Sequence, residues 1–408
     1  MVVNSTKILD YLMVYLLVAF SGIPFFYRSR IEVMIVCMLI PLAVFIYRQR
    51  RIDKFIIYYV VAVMLLQVGQ MLKFYYLPLS TFLGLHIRIL FAYLTLKAVG
   101  HRLPTYYVNI ILFSILVSWL FYLPSYLPGF EGMLKSSVAP YFKHPFLKAS
   151  NYKVSDNLIL YTINTKGEAV GWLKRNSGPF WEPGAFSGFI IIALIFHVIK
   201  SKSVFSKQNL LLMAGLITTF STSGLLVLAY LIVAYFWLQR SVIKRIALVP
   251  LFLIGFAYLF VSIDFMGAKI QKKLSFTSQT YNTRFKSAQI DILDFAKSPW
   301  VGLGQAKETR FGGKTEKRVI HRNNGVTDFL ATFGLFAFCL YFILILLSLN
   351  SLCRYHNYDT RFALFALGAV LLIGFSEVYF SKVFFIALSM MSVLYAKRSL
   401  YPQQNVSV

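Results

Sequence analysis

VTDFLATFGLFAFCLYFILILLSL, residues 326–349, is apolar over a length that crosses a bilayer. A hydrocarbon core of about 30 Å needs roughly 20 residues at about 1.5 Å of helical rise each. Comparable runs recur on both sides of it, at residues 9–26, 31–47, 55–72, 79–96, 106–122, 185–199, 210–220, 225–238, 246–261, 362–375 and 378–395. The runs in the middle of the chain are the shortest, and tilt adjusts the others to the bilayer. The pattern predicts an all-α, polytopic membrane protein of about 12 transmembrane helices, forming a single integral membrane domain over residues 1–408.

Composition agrees. Hydrophobic residues make up 58% of the chain and charged residues 14%, whereas soluble domains carry roughly 25% charged residues; mean hydropathy is +0.67. A soluble globule is excluded. The net charge of +26 sits between apolar runs and not on one amphipathic surface, so membrane lipids and a polyanionic substrate are the expected partners, and nucleic acid is not. Cys37, Cys339 and Cys353 have no metal-ligand spacing, and the first two lie in apolar runs, where a thiol acts as a small hydrophobe. Lys7 precedes the first run with no small-residue cleavage site after it, so that run reads as a retained helix.

Two polar stretches interrupt the runs, residues 123–183 and 264–325. Lys and Arg in short connections mark cytoplasmic loops. Arg48, Arg50, Arg51 and Lys54; Lys97 and Arg102; Lys200, Lys202 and Lys207; Arg240, Lys244 and Arg245; Arg354 and Arg361; and Lys397 and Arg398 fall on one side if the helices alternate. Arg28 and Arg30 fall on the other. Both termini are then cytoplasmic, and both long loops are external. Two loops of about 60 residues on one face suggest that something is bound or transformed there.

The first loop closes with Arg175-Asn176-Ser177-Gly178-Pro179-Phe180-Trp181-Glu182-Pro183-Gly184 and runs straight into an apolar run. Pro at a helix start supplies a fixed φ where no N–H is needed. Arg175 is then either a headgroup anchor at a helix-entry turn or a phosphate ligand. In the second loop, Arg284 is followed fifteen residues later by Pro299-Trp300-Val301-Gly302-Leu303-Gly304. Phe285, Ile290, Ile292, Leu293 and Phe295 give partial helical spacing, as in a helix lying at the membrane surface and ending at the Pro and Gly residues. Asp291 and Asp294 read as its solvated face. Gly302 and Gly304 precede no helix of a βαβ unit, so no dinucleotide site is expected. The loop ends in His321-Arg322-Asn323-Asn324-Gly325, with Gly334 inside the following run.

Together these pieces resemble the O-antigen ligase and polymerase family of bacterial polysaccharide assembly. Arg175, Gly178, Phe180 and Pro183 match its Arg-x-x-Gly-x-Phe-x-x-Pro motif. Arg284, Pro299, Gly302 and Gly304 match its second-loop pattern, and His321 to Asn324 stand for its His-Asn pair. Thr222-Ser223-Gly224 is similar to its Ser-Arg-Gly turn but lacks the arginine. Counting back from Gly334, the family's histidine falls on Asn323, so His321 sits two residues early. Glu182-Pro183-Gly184 looks more like the polymerases than the ligases. The likeness begins near Lys174.

The resemblance implies a GT-C-like glycosyltransferase in the bacterial inner membrane, with its site facing the periplasm or exterior. It implies undecaprenyl-diphosphate-linked oligosaccharides as substrates, polymerised into O-antigen, capsular polysaccharide or exopolysaccharide, with a chain-length regulator and a flippase as partners. A sugar hydroxyl attacks the anomeric carbon as a lipid diphosphate departs. Arg175 and Arg284 are assigned to that diphosphate, since a guanidinium is always charged and presents a planar fork to phosphate. His321 is the general base and Glu182 the reserve. Glu182, Arg322, Asn323, Asn324 and Arg88 are the substrate-binding candidates. Arg88 lies within an apolar run beside the turn of His86, where a charge must face a wet cavity or a partner. No cofactor or metal is expected, because arginines can neutralise the leaving group and no Asp-x-Asp pair is present. The rival enzyme is the ligase that moves finished glycan to lipid A core. The rival of another class is a lipid-linked oligosaccharide flippase, which needs charges lining a central cavity and no large external loops.

Overall fold

The computed structural model describes residues 5–27, 31–142, 156–163, 173–238, 250, 284–313 and 322–395. The run at 246–261 lies outside them save for Pro250; so do Arg28, Arg30, His321 and the basic residues at 240–245 and 397–398. The other runs are helical, except at the start of the run at 378–395. The helices are α1 Ser5–Gly22, α2 Pro24–Tyr27, α3 Ile31–Tyr47, α4 Lys54–Phe74, α5 Leu79–Val99, α6 Leu103–Tyr122, α7 Phe130–Met133, α8 Pro183–Ser201, α9 Lys207–Thr218, α10 Thr222–Trp237, α11 Arg284–Lys297, α12 Lys307–Phe311, α13 Gly325–Tyr355, α14 Phe362–Ser376 and α15 Val383–Met390.

Among the described residues, four helical stretches are both long and apolar enough to cross a membrane: Lys54–Phe74, Leu79–Tyr126, Pro183–Ser201 and Gly325–Tyr355. The second has 48 residues, more than one crossing of a core about 30 Å thick can use. It is divided into α5 and α6 at Gly100, where φ is 72°. Helices of 10–17 residues are apolar too, among them α3, α10 and α14. The chain is an all-α membrane protein, and fewer of its helices meet the length test than the about 12 spans expected.

α8 lies at the centre. Every residue from Pro183 to Ile199 is buried, and the helix packs against α6, α9, α10 and α14. α4 stands at the rim with Ile57, Tyr58, Leu65 and Leu72 exposed, a surface suited to lipid. Four of the basic connections lie next to one another. Arg48 donates to the Ala98 carbonyl at 2.6 Å, Lys200 reaches Thr105 at 3.2 Å, and the His101 ring lies 6.0 Å from that of Tyr355. Toward the other end, the first long loop folds over a small apolar core of Tyr122, Leu134, Ala139, Leu158, Tyr161 and Ile163. Two short antiparallel strands, β1 Asp156–Asn157 and β2 Thr162–Ile163, lie within it.

α13 is broken at Gly334, with φ 79° and ψ 174°. A break in an α-helix strands amides and carbonyls that must find other partners. Residues 299–304 supply them. Leu303 and Gly304 donate to the carbonyls of Ala331 and Thr332, each at 2.9 Å, while Leu335 donates to the Pro299 carbonyl at 2.8 Å. Gln70 of α4 closes the seam, donating to the carbonyls of Val301 at 2.6 Å and Thr332 at 3.2 Å. Backbone meets backbone here, so a Cβ on Gly302 or Gly334 would strike main-chain atoms of the other segment. The Pro-x-x-Gly-x-Gly motif is thus a ribbon docked into a helix break. Gly334→Ala adds the strain of a left-handed φ, about 1–3 kcal/mol, to that collision. A clear fall in melting temperature in detergent is expected, with Gly84→Ala unchanged because open space surrounds Gly84. Equal melting temperatures would remove the docking account.

Two expectations need correction. Residues 378–395 do not form a helix from their start: residues 377–382 are irregular, and α15 begins at Val383. Hydropathy does not see this break because Val378, Tyr379 and Phe380 continue the apolar pattern through it; Tyr379 donates to the carbonyls of Gly184 and Ala185, both at 3.2 Å. α11 forms as predicted but with the opposite face inward. Phe285, Ile292 and Leu293 are exposed, whereas Asp291 and Asp294 are buried. The reason is charge pairing. Arg310 reaches Asp291 and Asp294 at 2.7 Å each and Asp328 at 3.3 Å, and Arg322 reaches Asp291 at 2.9 Å and Asp294 at 3.3 Å.

Candidate active site

The turn before α8 is shaped by Asn176. Its amide donates to Ser118 at 2.9 Å and Thr218 at 3.1 Å, and its carbonyl oxygen accepts from the Gly178 amide at 2.8 Å. Phe180 is fully buried and stacks on Phe189 with ring centroids 4.2 Å apart. This anchoring holds the half-buried Arg175, whose Nε donates to the Thr219 carbonyl at 3.3 Å. Glu182 occupies the N-cap position of α8, but its carboxylate caps nothing. It turns to Glu377 instead.

Glu377 stands where α14 ends, in the irregular turn before α15. Its side chain is 7% exposed, and the Glu182 carboxyl and the Trp181 indole lie close enough to act on its carboxyl, in opposite directions. Gly184 makes the room: a Cβ there would lie 2.6 Å from Glu377 Oε1 and 3.7 Å from Glu182 Oε1. Gly325, at the start of α13, abuts the Glu377 carbonyl from the other side, and a Cβ would collide with it.

Arg284 opens α11 and closes on the same turn. Its Nε donates to the Ser376 carbonyl at 2.8 Å and its Nη2 to Glu377 Oε1 at 3.3 Å. Its side chain stays 30% exposed, so the fork can still meet a ligand. Burial lowers the pKa of the Arg175 guanidinium; Glu182 and Glu377 oppose that shift and Arg284 reinforces it. Arg175, Arg284, Glu182 and Glu377 therefore form one electrostatic group. Burial, and then the Glu182 carboxylate, raise the Glu377 carboxyl well above the ordinary glutamate range, against the pull of Arg284. Such a pair holds one proton between two carboxyls.

The remaining candidates have more specific places. Arg88, on α5, points its Nη1 at the Ser381 carbonyl, 3.5 Å away in the turn that carries Glu377. Arg322 is engaged by Asp291 and Asp294 in the ionic cluster under α11. Asn323 donates its amide to Ser287 at 3.2 Å. Asn324 is buried and caps α13, accepting from the amides of Val326 and Thr327 at 3.1 Å each. His321 lies outside the described residues. The sequence reading missed Glu377, because a lone glutamate at a run's end carries no spacing signal and its partner lies far away in the chain. Among the described residues, no group of three or more His, Cys, Asp and Glu could hold a metal ion.

A family model described as O-antigen ligase matches residues 209–342. The match covers Arg284, the residue 299–304 ribbon, Arg322 and the break in α13, and it leaves Arg175, Glu182 and Glu377 outside. No curated protein matches the chain.

Proposed function

On the premise that this chain is one of the O-antigen polymerase and ligase family, as the match over residues 209–342 supports, we propose that it is a membrane glycosyltransferase polymerising undecaprenyl-diphosphate-linked repeat units. The observation that carries this reading is that Arg284 pairs with the buried Glu377 carboxyl while Arg175, from the other loop, lies within the electrostatic reach of Glu182, Arg284 and Glu377. A glycan leaves its diphosphate as negative charge grows on the leaving oxygen, and fixed cations at that point lower the barrier. Two guanidinium forks are suited to a diphosphate. Beside the cluster, next to Ser381, an apolar groove lined by Leu66, Ile89, Phe333, Leu340 and Phe380 offers a seat for a polyprenyl tail. The gathering of basic connections at the opposite end supports an exterior site in the bacterial inner membrane. A lipid-linked donor made inside requires a flippase before this step.

The test is synthesis by the purified protein from lipid-linked repeat units. Polymer of increasing length is expected. Transfer only to added lipid A core would favour the ligase, which the description of the matched family also favours. Lipid scrambling without new glycosidic bonds would overturn the enzyme reading altogether.

A further inference from the structure

Beside the two guanidiniums, the described groups that can exchange a proton are Glu182, Glu377 and Tyr379. Tyr379 is buried, with its hydroxyl directed to the carbonyls of Gly184 and Ala185, and a phenol is a poor proton acceptor near neutral pH. The two carboxyls differ in access. Glu182 is half-buried on the loop side of α8, whereas Glu377 is enclosed by Trp181, Gly184 and Gly325 and bonded to Arg284. The groups facing Glu182 are Glu377 and Tyr379 from the turn after α14 and Arg175 from its own loop, with Arg284 from α11 bonded to Glu377; Lys382 lies over the neighbouring Trp181 ring at 5.7 Å.

We propose that Glu182 is the general base that takes the acceptor proton, and that Glu377 is its positioning residue, holding the pair's single proton and donating it toward Glu182. The inference rests on the glycosyl-transfer reading and names the proton acceptor within that site. Two adjacent carboxyls do not both ionise cheaply, so the enclosed member stays neutral and the accessible member carries the charge. The step balances. The acceptor oxygen forms its bond to the anomeric carbon as its O–H proton passes to Glu182. The bond from anomeric carbon to diphosphate oxygen breaks, and its electron pair leaves with the diphosphate at Arg175 and Arg284. Both carboxyls are then neutral, and Glu182 returns the proton to water after product departs.

Neutral substitutions separate the two roles. In the full-length protein, Glu182→Gln should lower kcat by about 100-fold or more, the usual contribution of a general base. Binding of undecaprenyl diphosphate should persist. Glu377→Gln keeps a neutral donor and should stay within about tenfold of wild type, whereas Glu377→Leu, which has no donor, should fall to the level of Glu182→Gln. A merely structural Glu377 would give Gln and Leu variants alike, tracking their melting temperatures. Loss of turnover in His321→Ala, with full activity in Glu182→Gln, would overturn the proposal in favour of the imidazole. If wild-type protein does not bind undecaprenyl diphosphate, the glycosyl-transfer reading itself fails.

Discussion

Arg284→Ala is expected to stop chain extension by the purified protein, with the rate reduced by at least about 100-fold. A charge-assisted hydrogen bond contributes about 1.5–3 kcal/mol, and a bidentate fork makes two of them. A factor of ten in rate takes only about 1.4 kcal/mol. Arg284→Lys should be nearly as poor, because a point charge on a flexible stem does not replace a planar fork. The fold should survive. Glu377 loses its cation, but burial and the nearby Glu182 carboxylate already hold its carboxyl well above the ordinary glutamate range, which favours the neutral form. Arg175→Ala should behave alike, and the double variant should add little if both act on one diphosphate. Wild-type extension in either single variant, at normal expression, would contradict the assignment.

That prediction could be made from the sequence because both arginines stand in short local motifs, and the family those motifs resemble gives them their role. The helices were legible locally too, since hydropathy is a sum over neighbours in the chain. What escaped was long-range. Glu377 gains its meaning only from Glu182 and Arg284, and a solitary carboxylate at the end of an apolar run gives no hint of either. Asp291 and Asp294 were placed on the wrong face because helical spacing alone favours burying the apolar side. Three aspartates and two arginines brought together outweigh that preference when the apolar side can meet lipid instead of water. Gly334 was noted only as a counting mark, since a single glycine in a long apolar run does not announce a break.

Arg310→Ala is expected to produce the largest loss of stability in the molecule. Its side chain is 2% exposed and reaches Asp291, Asp294 and Asp328, while Phe311 lies 5.4 Å beneath it. Holding the buried Asp291 and Asp294 beside the part-exposed Asp328 is tolerable only because guanidiniums are fixed among them. Removing one partner of a buried pair costs about 3–5 kcal/mol, far more than the pair contributes net, since the remaining charges are left in a low dielectric. Arg322 is already engaged by Asp291 and Asp294, and the largely exposed Lys297 pairs with Asp294 at the edge of the cluster. Lys297→Ala should therefore cost no more than about 1 kcal/mol. The sign of the pH dependence follows. Uncompensated aspartates in the variant have raised pKa values, so its folded state binds protons that its unfolded state does not. Its deficit in melting temperature against wild type should narrow as pH falls through those values. Because the cluster ties α11 to α13, it also fixes where Arg284 stands. Donor binding should weaken in Arg310→Ala even at temperatures where the protein remains folded, and a variant with wild-type melting and wild-type binding would leave the cluster with no role in the site.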